Sequence, residues 1–139
     1  MSGRKPDQDG SVAVEAALVA PLLLVLLLLV VYAGRAAQAD TDVHTAAGRA
    51  ARAASLVDHP DTAGEQARAM AAANLATAGI DCQPLQVTVE VGRLHAGGSV
   101  TVTVGCRITN RDIALIAVPG TRWSSATATH PIDVHRGGG

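Results

Sequence analysis

The sequence predicts an α+β protein: a long N-terminal helix, a second short helix, and a small antiparallel β-sheet. Three observations carry this expectation. Residues 16–34 are apolar and carry no charge. Apolar positions then recur at alternating steps of three and four, which is helical spacing. After residue 84 the apolar period changes to two, which is strand spacing.

As an α-helix, residues 16–34 would be roughly 28 Å long, close to the ~30 Å hydrocarbon thickness of a bilayer. A membrane span follows. The flanking charges orient it poorly, with Arg4 and Lys5 before it and Arg35, Arg49 and Arg52 after it. Pro21 removes one backbone donor inside the span and predicts a mild kink. Glu15 stands at its start, where three readings stay open: a carboxylate at the headgroup boundary without a role, the polar edge of a signal peptide, or the partner of a positive charge made by cleavage nearby.

The helix continues beyond the span. Ala36, Ala39, Val43, Ala46, Ala50, Ala53 and Val57 form a narrow stripe of small side chains. Two readings of this stripe stay open, packing on the protein's own sheet and packing on other subunits. Asp40 and Asp42 lie off the stripe and face different directions, which does not suit acid–base work. Asp58-His59-Pro60-Asp61 ends the helix near residue 57. Thr62-Ala63-Gly64-Glu65 has the pattern of a capping box, so a second helix is expected over residues 62–77, with Gly79 as its stop.

Leu85, Val87, Val89 and Val91 alternate with polar residues, as do Val100, Val102, Val104, Cys106 and Ile108. The glycine-rich "GRLHAGG" between them predicts a hairpin. Residues 113–118 are ambiguous, Pro119-Gly120 predicts a turn, and residues 123–129 suit a third strand. Residues 135–139 read as a disordered tail. Phe is absent, and Tyr32 and Trp123 are the aromatics, so the core must be aliphatic. Cys82 and Cys106 follow the apolar run and share one side of the membrane. On an oxidising side they would form a disulfide worth roughly 3–4 kcal/mol; on a reducing side they would be two buried thiols.

A net charge of −1 argues against a strongly charged partner surface. No basic stripe or aromatic set suits nucleic acid. No nucleophile elbow or phosphate-binding loop is present, and the five histidines lack metal-ligand spacing with cysteine. Neither an enzyme, a cofactor nor a metal is expected.

Gly10-Ser11-Val12-Ala13-Val14-Glu15 resembles the leader junction of type IV prepilins, in which glutamate is the fifth residue after a glycine. The wider stretch resembles the TadE-like pseudopilins of tight-adherence (Flp) pilus systems. Their E-x-A-L-V-x-P-L-L-L start is matched by Glu15, Ala17, Leu18, Val19, Pro21, Leu22, Leu23 and Leu24. The tail "SSATATHPIDVHRG" is also similar to the end strand of such proteins. The resemblance implies a prepilin peptidase cutting between Gly10 and Ser11, and Glu15 meeting the new amine of a neighbouring subunit. It implies a cell-membrane protein with a cytoplasmic N-terminus and an extracytoplasmic domain. The partners it implies are membrane lipid, the peptidase, and other pilin or pseudopilin subunits and pilus assembly proteins. The chain would then divide into a leader (residues 1–10), a transmembrane helix (11–35), its continuation (36–57), a small domain (58–134) and the tail. Two alternatives have no pilus role: a secreted binding protein released by signal cleavage after Ala39, within Ala37-Gln38-Ala39, and an uncleaved single-pass anchor.

Overall fold

A computed structural model describes residues 8–109 and 120–137. The predicted segments at residues 1–7, 113–118 and 138–139 lie outside the described residues, as does Pro119. The elements are α1 (Gln8–Ser55), α2 (Pro60–Thr77), β1 (Cys82–Val91), β2 (Ser99–Thr109) and β3 (Thr121–Pro131). The strands form one antiparallel sheet in the order β1-β2-β3, and the two helices pack together against it. The predicted α+β class is the observed one.

α1 runs unbroken for 48 residues, through Pro21. Its last turn tightens: the amides of Leu56 and Val57 donate to Ala53 and Ala54, three residues back. The helix therefore ends at Ser55, two residues before the expected stop. The buried stripe is also wider than expected. Ala47, Ala51 and Ala54 join Ala36, Ala39, Val43, Ala46 and Ala50, whereas Ala53 is only half-buried. A straight helix turns at 3.6 residues, so the buried face drifts away from a strict three-and-four pattern.

α2 starts at Pro60, not at Thr62. Its N-cap is His59, which is extended and makes no side-chain capping bond. Proline suits the first helical position because its fixed φ fits and its missing donor would have no partner there. The expected capping box is absent because Thr62 already lies inside the helix. The stop falls where predicted. Gly79 adopts φ +76°, its amide donates to Ala76, and the Ile80 amide donates back to Leu75. This pair of bonds is a Schellman closure, and its left-handed residue favours glycine.

β2 is the central strand and supplies the deepest side chains, Val100, Val102, Val104, Cys106 and Ile108. Facing them are the alanines of α1, and Ala63, Ala67, Ala71 and Leu75 of α2. Alanine faces let the layers approach closely, but each buries little area. On the outer face, Thr101 pairs with Thr129 and Thr103 with Thr127, each through hydroxyls 2.9 Å apart. The Trp123 ring lies over Gly105, where any Cβ would overlap the indole. Val134–Gly137 forms one 3₁₀ turn in part of the predicted disordered tail.

Two long-range links close the domain. Cys82 and Cys106 form a disulfide across the β1–β2 ladder, with Cα atoms 5.1 Å apart. On the other side, Asp40 of α1 accepts hydrogen bonds from the Arg122 guanidinium and from the Ser124 hydroxyl (2.6 Å) of β3. These bonds, Arg122's first and Ser124's second, hold the Asp40 carboxyl below its ordinary pKa.

Replacing both cysteines with serine is expected to destabilise the domain by about 2–4 kcal/mol. The corresponding fall in Tm is about 10 °C or more for a domain this small. An unchanged Tm would contradict the structural role of the bridge. For Asp40, the depressed pKa means its contribution is full above the ordinary carboxylate range and is lost as pH falls through the folded-state value. Both side chains are partly exposed (32% and 44%), so the effect should be modest. Asp40→Asn should lower stability at neutral pH and flatten its acid decline below about pH 4. Parallel pH–stability curves for the two proteins would exclude the clamp as an energetic contact.

Candidate functional site

The candidate site is the N-terminal part of α1. Every residue from Gly10 to Leu27 is exposed, including Val12, Val14, Leu18 and the run from Leu22 to Leu27. An 18-residue window in this helix has mean hydropathy 2.9, and none of it is buried within the chain. In water such a surface would be unfavourably hydrated, and burial in hydrocarbon removes that cost. One N-terminal helix is thus long and apolar enough to cross a membrane.

The predicted site residues lie along this rod. Gly10 and Ser11 are helical and exposed, and a Cβ at Gly10 would meet nothing within 4 Å. Packing against the described residues therefore gives no reason for a glycine there. Glu15 is exposed on the same helix, one turn beyond Ser11, and has no hydrogen bond or ion pair among the described residues. Pro21 lies within the apolar stretch. Cys82 and Cys106 are remote from these residues and belong to the domain. The structure does not gather the predicted residues into a pocket. It arranges the first four in line.

The transition from lipid-suited to protein-suited surface is gradual. Leu28, Val31 and Tyr32 are half-buried, and Ala36, Ala39 and Val43 complete the turn to full burial. Asp40 lies just past this point, so its clamp to β3 fixes the helix to the domain where it leaves the apolar stretch. Sequence reasoning missed Arg122 and Ser124 as partners of Asp40. The available signal was their spacing of two on a strand, which places both on the sheet face toward α1. Nothing local identifies the carboxylate they would meet.

The other depressions are shallow. One groove between α1 and α2 is lined by Asp42, Thr45, Arg49, Asn74 and Thr77, with acid, base and amide groups but no convergent nucleophile and base. Among the described residues, no three His, Cys, Asp or Glu side chains group as a metal site would need.

Comparison with known proteins agrees with the helix. No curated protein and no solved structure matches the chain. Residues 10–52 match the model of the TadE-like protein family. The match covers α1 from the exposed Gly10 to the packed turn at Arg52, the same rod that carries Glu15, Pro21 and Asp40. A TadE-like N-terminal segment with one apolar helix fits a membrane-anchored component of a Tad pilus, and it is the TadE-like family that this chain matches along that helix.

Proposed function

We propose that the chain is a membrane-anchored pseudopilin, a structural or assembly component of a tight-adherence (Flp) pilus. The observation that carries this reading is the family match along one continuous helix, exposed and apolar at one end and packed into a domain at the other. In this reading a prepilin peptidase cuts between Gly10 and Ser11. The shortened helix stays in the membrane and presents its uncovered apolar faces to lipid and to other subunits. Glu15 lacks a partner among the described residues, which suits a role in contact with the Ser11 amine of a neighbouring subunit. Pairing the two charges offsets the desolvation that either would suffer alone, and it favours one axial register.

The disulfide supports an extracytoplasmic domain, because such bonds persist on oxidising sides of membranes. The N-terminus is then cytoplasmic. Signal cleavage after Ala39 is disfavoured by the fold. That bond lies inside α1, where Ala36 and Ala39 are core residues and Asp40 holds β3. Cleavage there would remove the first two turns of the packed face.

Intact mass and N-terminal sequencing of membrane-extracted protein, made with and without a prepilin peptidase, test the processing step. A peptidase-dependent start at Ser11 is expected. A start at Asp40 would establish a signal peptide, and an uncut chain in both preparations would leave a plain anchor. Glu15→Ala should insert normally yet reduce pilus assembly by roughly tenfold or more, the scale of one lost charge-assisted contact. Normal assembly by this variant would remove Glu15 from the mechanism.

A further inference from the structure

We propose that edge strand β1 is a docking site for a second copy of this chain. The β1 of one copy adds in parallel to the outer edge of β3 of the next, which joins the two sheets into one. This rests on the anchor reading above, because it needs copies standing in one bilayer.

The sheet is open along β1. Among the described residues, β1 and β3 each pair with β2 alone. Exposed edges are normally guarded by lysine, proline, a bulge or a short strand. In β1 the guards stop early, since the register shift and Pro84 both precede Leu85. Residues 85–91 then hold no proline, no basic residue and one charge, Glu90. The cover of the core also thins there. Leu85, Val87 and Val89 pack against the core yet are only half-buried, whereas Val100, Val102 and Val104 on the next strand are fully buried. An added strand would cover that row.

Direction decides what the added strand is. β3 runs with α1, since its start meets Asp40 and its far end brings His130 within 3.3 Å of the Ser55 hydroxyl. β1 runs with β3, because both are antiparallel to β2. Copies anchored through α1 in one bilayer all point the same way. Antiparallel pairing of β1 with β1 would invert one anchor. Parallel pairing of β1 with β1 would set the two helix layers on opposite faces. Pairing β1 with β3 keeps anchors and helix layers aligned, and it repeats head to tail.

The side chains match in that register. Equal anchors hold the copies at equal height. The two ladders put Val87, Val104 and Ala126 at one level, and Val89, Val102 and Ala128 at another. The β1 valines of the next copy thus fall beside β3 alanines, large against small. On the outer face Thr88 falls beside Thr127 and Glu90 beside Thr129, which extends the two rows of threonine hydroxyls. β1 holds one acid and no base, and β3 two bases and no acid, so no like charges meet. These levels stand about 16 Å or more along β2 from Thr109, toward the β1–β2 hairpin turn.

Thr88 and Thr127 are exposed, so cysteine at either leaves the packing intact. Full chains carrying Thr88→Cys or Thr127→Cys would be reconstituted in phosphatidylcholine vesicles, separately and mixed, and oxidised. The mixture is expected to give at least about fivefold more disulfide-linked dimer than either variant alone, since only the mixture brings two new thiols within bonding distance. If the chains float with the vesicles and keep the Cys82–Cys106 bridge, but the mixture links no better than the single variants, the edge contact is refuted and the anchor stands. Chains that fail to float refute both.

Discussion

The structure depends on one constraint: a single hydrogen-bonded rod must satisfy two different surroundings. Apart from the donor that Pro21 lacks, the backbone of α1 pairs within the helix, which suits such a rod to hydrocarbon. Its side chains have no such freedom. Large aliphatic residues dominate the first half, which the described residues leave exposed through Leu27, and alanine dominates the second half, where protein covers it. The change in residue size marks the change of solvent. Leucine maximises transfer into lipid, whereas alanine permits the close approach of α2 and the sheet.

The alanine face has an energetic consequence. The largest fully buried side chains are Leu75, Ile108, Val43 and the β2 valines, with no aromatic among them. Such a core stabilises a small domain weakly, and small domains often need a covalent or ionic addition. Here the two additions are placed at opposite edges of the sheet. The disulfide holds edge strand β1 to β2, and the Asp40 clamp holds edge strand β3 to α1. Neither edge relies on the aliphatic core alone.

These same placements explain what could be read from the sequence. Strands β1 and β2 were legible because alternating valine and threonine has only one reasonable reading on a half-buried sheet. The Gly79 stop was legible because a left-handed residue has a strong residue preference. The start of α2 was misplaced because two local signals competed, and the rigid φ of Pro60 outweighed the hydrogen bonds of a capping box at Thr62. The full breadth of the α1 face was hidden for a different reason. Ala47, Ala51 and Ala54 are indistinguishable by type from exposed alanines such as Ala37, so only the packed partners decide which are core. Asp40 was seen and assigned no role, since its partners lie more than 80 residues away.

Glu15 then acquires a depth that its own neighbourhood does not specify. A bare apolar helix can slide along the membrane normal until a terminal carboxylate reaches water. This helix carries a domain packed against it from Tyr32 onward, locked by Asp40 just beyond the apolar stretch. Sliding outward on the domain side would draw Glu15 deeper into hydrocarbon. Sliding the other way would relieve Glu15 but would pull Arg35 and the Arg122 pair toward the hydrocarbon, where charges cost several kcal/mol each. About 28 Å separates Glu15 from Gly34, so an ordinary bilayer with one boundary at Gly34 would have its other boundary near Glu15. In the proposed pairing, the Ser11 amine lies about one turn, roughly 6 Å, from the Glu15 of its own helix, so a neighbour displaced by about that much would bring its amine to this level. The domain, by limiting how far the anchor can slide, would limit the registers open to such a pairing.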